Sequence, residues 1–300
     1  MIELVIPYRN RSIGSMSVRR VLPFPKRRAV GPFVFVDDFG PVEIVGGGKS
    51  LDVLPHPHIG LATVTFLFGG KMTHRDSIGS VQVIEPGEVN WMSAGRGVVH
   101  SERVSDLPEL AGENLLGVQT WVALPEKYEE TAPSFAHHTA EELPVVEAGG
   151  ARAKIILGEI FGVKSPVETL SDPVYADCFL QNKASLSVPA EIEDRSVYIL
   201  SGALLINGQK FETGTMVVFE AGKEAIIEAA AEAGARFMII GGARLEKPRY
   251  MWWNFVSSSP DRIEAAKEDW REGRFAMIPG ETEFIPLPEN NYPKPIPQPL

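Results

Sequence analysis

Two short motifs carry residue types that bind metals. His56-Pro57-His58 is a His-x-His pair, and His100-Ser101-Glu102 is a His-x-Glu pair further along the chain. Residues two apart in a strand project to the same face, so two such pairs on neighbouring strands of a closed barrel aim four donors at one interior point. Three neutral imidazoles and one carboxylate suit Fe(II), Mn(II), Ni(II), Cu(II) or Zn(II), and four protein donors leave two positions of an octahedral ion open. A His-x-His pair also arises by chance, with its imidazoles as surface or satisfied core groups. Against that, three of the chain's six histidines fall in two pairs of identical spacing, and a carboxylate takes the fourth place.

The elements that would position these residues are strands. Gly (28) and Pro (24) separate short runs rich in Val, Ile and Phe along the 300 residues, among them Phe33–Val36, Ala62–Phe68, Val81–Ile84, Ala153–Leu157 and Val197–Leu200. Runs of this length between turn residues predict strands, and their spacing favours sandwiches or barrels over alternating βαβ units. One helix is signalled near the end: Ser258 or Ser259 can cap it, and Pro260 and Asp261 suit its first turn. Ile263, Ala266 and Trp270 then share a face before Gly273 stops it. Beyond Phe284, six prolines predict an extended tail with neither regular sheet nor helix.

The pattern occurs twice. Glu85–Gly95 and Glu212–Gly222 have equal length, with Glu, Gly, Ala and Gly at equivalent places; upstream, Thr65–Gly70 matches Tyr198–Ala203 as a strand running into a glycine turn. Self-similarity at this distance predicts a duplicated β domain, joined by a linker from Pro125 to about Glu147. The repeat offset places Pro189 and Glu191 at the positions of His56 and His58, and Ile227 and Ala229 at those of His100 and Glu102. The second copy is therefore expected to hold no metal.

Composition excludes several classes of function. Lys and Arg total 29 against 39 Asp and Glu, a net charge of −10 that repels nucleic acid and anionic membranes at long range. The one dense basic cluster, Arg19, Arg20, Lys26, Arg27 and Arg28, reads as a solvated face. A single cysteine, Cys178, excludes an intramolecular disulfide framework and Cys-rich zinc modules. The opening apolar run is broken by Glu3 and Pro7 and reads as no signal peptide, and the Ala-rich stretch near residue 230 is cut by charges. The expected setting is a reducing, cytoplasmic compartment.

His56–Gly60, the His74–Gly79 segment and Trp91–Glu102 together resemble the pirin family, a branch of the cupins. Phe33–Pro41 is similar to the family's opening strand, and Trp253–Ser259 through Phe284–Pro288 to its C-terminal segment. The resemblance implies an all-β fold of two stacked cupin barrels with a short C-terminal helix. The metal-binding barrel is expected over 1–135, and a metal-free barrel with the helix and Pro-rich tail over 145–300. It implies one divalent metal, usually iron, on His56, His58, His100 and Glu102, with Mn, Ni, Cu, Zn or Co also compatible. It further implies quercetin (flavonol) 2,3-dioxygenase activity on an aromatic polyhydroxylated substrate and O2. Glu102 would then be both ligand and base. A second implication is a non-enzymatic regulator that binds a transcription factor or a metabolic enzyme. One departure stands out: Ile59 and Ala62 fill places where many pirins carry a basic residue and a Glu, which touches substrate preference.

Other residues read as follows. Asn90 and Trp91 are the candidates for substrate contact, with Trp91 serving equally as plain core. His74 reads as a loop imidazole bonded to its neighbours ahead of a group orienting a ligand. His137 and His138 fall in the expected linker and read as exposed. Asp37-Asp38 reads as a strand-ending turn, Cys178 as a small core residue and Trp252-Trp253 as packing for the C-terminal segment.

Overall fold

The computed structural model describes residues 2–288 and the short strand Lys294–Ile296. Antiparallel strands dominate, with one α-helix among the described residues, Pro260–Arg271. The chain forms two compact units. The histidine-bearing unit gathers the described residues of Asn10–Val18, Val36–Ala140 and Glu246–Leu300, and the second unit those of Met1–Arg9, Arg19–Phe35 and Glu141–Leu245. Each unit draws on more than one stretch of the chain. The reason is pairing: the N-terminal strand Ile2–Pro7 joins Thr215–Phe219 at an edge of the second unit's larger sheet.

In the histidine-bearing unit a four-stranded sheet runs in the order Val53–His58, Val98–Arg103, Met72–Asp76, Val81–Ile84. A larger sheet sets Ser134–His138, Val89–Ser93, Leu61–Gly69 and Asn114–Ala123 side by side. Leu61–Phe66 is buried at every position, so both faces are covered, and the run carries threonines on one of them. Gly60 turns the chain from the His-x-His strand into this one with φ 67°, where a Cβ would run into the Val256 carbonyl oxygen.

The second unit repeats this plan. Its four-stranded sheet runs Ser185–Val188, Ala225–Ala229, Ala203–Ile206, Gln209–Glu212, and its larger sheet sets Thr215–Phe219, Asp194–Ser201 and Ala235–Gly242 side by side. Equivalent strands thus occupy equivalent places, as duplication of a barrel requires. The interior here is apolar: Val188, Val197, Ile199, Leu204, Ile227 and Phe237 belong to one buried cluster, each fully or almost fully removed from water. Cys178 lies in the same cluster, and burial pushes its thiol well above the usual range.

The helix forms as its sequence directs. The Ser259 hydroxyl accepts from the Arg262 amide at 3.4 Å, Pro260 opens the first turn, and Ile263, Ala266 and Trp270 are buried. They pack with Ile59, Val99, Trp252 and Phe255, each large side chain contributing about 1.5–3 kcal/mol by burial. Lys267 shares the buried face because its ammonium lies 4.7 Å from the Trp252 ring and pairs with Glu264.

Four expectations are corrected by packing. Within the supposed linker, Ser134–His138 is a strand paired with Val89–Ser93, and His137 is half-buried there with Nδ1 2.8 Å from the Asn90 side-chain oxygen. Arg27 is buried, not solvated, because it pairs with Glu3 and, at 2.9 Å, with Asp194. Asp37 and Asp38 lie inside the strand Phe33–Glu43 and are buried. Lys294–Ile296 of the Pro-rich tail pairs with Arg249–Trp252 as an edge strand. Prolines alternating with N–H-bearing residues are tolerated at an edge, where half the backbone groups need no partner. The other tail positions, at 289–293 and 297–300, lie outside the described residues.

Candidate metal centre

The two motif strands are neighbours. His100 lies directly opposite His56 and Val98 opposite His58 in the antiparallel ladder between Val53–His58 and Val98–Arg103. Cross-strand partners share a face, so His56, His58 and His100 project together. Their ring centroids lie 4.4–5.0 Å apart, and one ring nitrogen from each falls within 4.8 Å of the others. The ladder then slips: Glu102 faces Val53, so an extra residue of the His-x-His strand bulges opposite Ser101.

All three imidazoles are buried, and burial disfavours their charged forms. Burial holds His56 at about 4, against a Leu54 hydrogen bond that pulls the other way. It holds His58 and His100 well below the usual histidine range, with mutual repulsion adding to it. The rings are therefore unprotonated near neutrality. His56 Nδ1 donates to the Leu54 carbonyl at 2.8 Å and His58 Nδ1 to the Asn254 carbonyl at 3.1 Å. A neutral ring has one N–H, so each Nε2 is left with its lone pair. The His58 and His100 Nε2 atoms face each other at 3.1 Å. Nitrogen lone pairs gathered so closely in a buried place suit a shared divalent cation, and the donor chemistry fits one.

Glu102, two residues beyond His100 on the same strand, stands beside this group. Among the described residues, the donors within 4.8 Å of each other come from His56, His58 and His100. The Glu102 carboxyl is half-buried and accepts from Gln119 Nε2 at 3.2 Å. Burial raises its pKa to about 7, while hydrogen bonds with Thr65 and Gln119 pull it down.

The registers show which other side chains share the inner face. Thr65 is opposite both Gln119 and Asn90, so Asn90 projects on the Glu102 side, and it is held by His137. Trp91 is opposite Val64, one residue out of phase. It is buried on the other face, which corrects its candidacy as a substrate contact. Trp121 lies on the inner face instead, with its ring 5.2 Å from His58 and edge-on to it. His74 is not on a loop: it lies in the strand Met72–Asp76, opposite Glu102, buried and stacked on Phe135 at 4.4 Å. Gln119, Trp121 and Phe135 were missed because their strands carry no metal-binding pattern. Period-two alternation from Thr65 and its cross-strand partners is the signal that finds them.

In the second unit Ile227 and Ala229 are buried in the apolar core, as the repeat offset predicts. The counterparts of His56 and His58 are Leu186 and Val188, not Pro189 and Glu191, because Leu186 pairs with Ile227 and Val188 with Ala225. The offset misplaces them because five residues separate Ser185–Val188 from the next strand, where the first unit has only Ile59 and Gly60. Neither assignment supplies a donor set there.

Comparison with known proteins agrees with this geometry. Residues 15–122 match the pirin family model and residues 175–276 that of the pirin C-terminal cupin domain. A pirin-like protein of Caulobacter vibrioides is 47% identical over 292 residues, covering 96% of this chain and 100% of that one. Pirin of Homo sapiens is 30% identical over 280 residues, covering 91% and 93%. The crystal structure of a quercetin 2,3-dioxygenase from Acinetobacter baumannii superposes with a TM-score of 0.86 at 34% identity, covering 97% of each chain. With two cupin domains, a cluster of three buried histidines in one of them and relatives matched along nearly its whole length, the chain belongs to the pirin family.

Proposed function

We propose that this chain is a metal-dependent dioxygenase of the quercetin 2,3-dioxygenase type, acting on flavonols. His56, His58 and His100 hold one divalent transition metal ion, Fe(II) foremost, with Glu102 supplying the carboxylate donor from the same face. The observation that carries the reading is the convergence of three buried, unprotonated imidazoles, in a chain similar end to end to a solved quercetin 2,3-dioxygenase. When bound, such an ion supplies a Lewis acid for the substrate's adjacent hydroxyl and carbonyl oxygens and a redox partner for O2.

The protein's own groups do the rest. Glu102 accepts the flavonol hydroxyl proton as the basic carboxylate oxygen of the site. Thr65 and Gln119 orient that carboxyl. Trp121 and Phe135 give the inner face aromatic walls that exclude water and stack against a planar substrate. Asn90, fixed by His137, is the polar contact.

Oxygen uptake with quercetin tests this. Metal-loaded protein should consume O2 as the flavonol bleaches, and His56→Ala should abolish both. Background uptake by the metal-loaded wild type would contradict the enzyme. If it came with metal-dependent capture of a defined protein partner, the chain would be a non-enzymatic regulator.

A further inference from the structure

The three imidazoles are not held alike. His56 and His58 each donate Nδ1–H to a backbone carbonyl. Among the described residues His100 has no carbonyl partner of that kind; its Nδ1 lies 3.4 Å from Nδ1 of His74. The other nitrogen of His74, Nε2, lies 3.0 Å from Oδ2 of Asp76. Asp76 is fixed in turn, its Oδ1 accepting from the amides of Ile78 at 3.1 Å and Ser80 at 2.8 Å. All three side chains are at least nine-tenths buried.

Proton positions follow from donor and acceptor counting. An ionised carboxylate only accepts, so Nε2 of His74 carries the hydrogen. In its neutral form His74 has that one N–H, so its Nδ1 presents a lone pair. His100 must then donate from Nδ1, and its Nε2 is left bare. That is the atom 3.1 Å from Nε2 of His58.

We propose that His74 and Asp76 are positioning residues: a carboxylate–imidazole relay that locks the tautomer and ring angle of His100 and raises its strength as a metal donor. The proposal rests on the metal reading above and names no new ligand. The hydrogen-bond partner behind a ligating imidazole fixes its ring and raises its basicity, and an imidazole backed by a carboxylate in place of a backbone carbonyl sets His100 apart from the other two. The second unit supplies an independent check. His74 faces Glu102 across the ladder, and the corresponding residue facing Ala229 is Leu204, buried in the apolar core. The relay is thus present in the unit that has the histidine cluster and absent from the one that lacks it. Stacking of His74 on Phe135, with 17° between the rings, fixes the relay's plane.

Co(II) binding to the full-length protein provides the test, read by metal affinity and by the visible ligand-field bands. His74→Phe keeps an aromatic ring against Phe135 while removing the relay. It should weaken Co(II) binding about 10–100-fold and shift the bands at saturation. Asp76→Asn, nearly isosteric, should do the same to a smaller degree. If the wild type binds one Co(II) and both variants match it in affinity and spectrum, the relay is refuted and the metal site stands. If the wild type binds no Co(II), the metal reading fails and the relay with it. Nitrogen-15 NMR of Zn(II)-loaded wild type needs no variant: His100 should show a protonated Nδ1 and His74 a protonated Nε2. The opposite tautomer at either ring overturns the proposal whatever the variants do.

Discussion

His100 lies opposite His56 across an antiparallel ladder, their ring centroids 4.4 Å apart, and in the second unit the same ladder position pairs Ile227 with Leu186. One topology therefore encloses a polar, nitrogen-rich interior in one place and a plain hydrocarbon core in the other. What separates them is side-chain choice at paired strand positions, not backbone architecture.

Glu102 is proposed to serve as donor and as base, and the two roles separate on Glu102→Gln. The amide keeps an oxygen for the metal but cannot take up the substrate proton. Turnover of quercetin should fall roughly 10²–10⁴-fold with metal content largely retained. Comparable losses in flavonol bleaching and metal analysis would reject the dual role.

The metal-free protein should lose stability on acidification. His56, His58 and His100 have folded pKa values below their unfolded ones, so between pH 6.5 and their folded values the unfolded chain binds more protons and stability falls with pH. From pH 7 to 5, His56 alone, held at about 4, contributes a loss of about 2 kcal/mol. Glu102 acts oppositely: raised to about 7, it favours the fold at low pH, and that contribution is lost as pH rises through 7. Glu102→Gln should therefore steepen the acid loss by about 2 kcal/mol over the same interval. Urea unfolding of chelated protein at the two pH values measures this, and equal pH slopes for wild type and variant would contradict it.

A buried ion pair anchors the segment that carries the helix. Glu129 pairs with Arg249 at 2.9 Å and accepts from Ser257 Oγ at 2.9 Å and the Ser258 amide at 2.9 Å, while Arg249 also donates to the Leu124 carbonyl at 2.8 Å. Removing one partner strands a buried charge. Glu129→Gln should cost about 3–5 kcal/mol in urea unfolding, and adding Arg249→Met should recover part of that. Additive losses in the double variant would show that the pair is not coupled.

Much of the site is legible in the sequence because strand geometry is simple. Period-two spacing puts His56 and His58 on one face of a strand and His100 and Glu102 on one face of another, and the repeat identifies the copy without that donor pattern. The helix was legible for the same reason: Ser259, Pro260 and the Ile263–Ala266–Trp270 stripe are local signals. Pairing between distant strands is not local. The place of Glu102 beside the histidine cluster depends on a bulge in the ladder, and no residue type announces that bulge. The facing of Trp91 away from the cluster and the His74–His100 contact depend on register in the same way. Arg27 looks like a solvated charge in sequence and is buried because Glu3 and the distant Asp194 pair with it.

In the proposed function one divalent ion is held by the histidine cluster and none by the second unit. Equilibrium dialysis of the full-length protein against Mn(II) or Co(II), followed by metal analysis, tests it most directly. One ion per chain is expected, lost in His100→Ala and unchanged in a substitution at exposed Ile226 of the second unit. Two ions per chain, none, or a single ion that survives His100→Ala would contradict it.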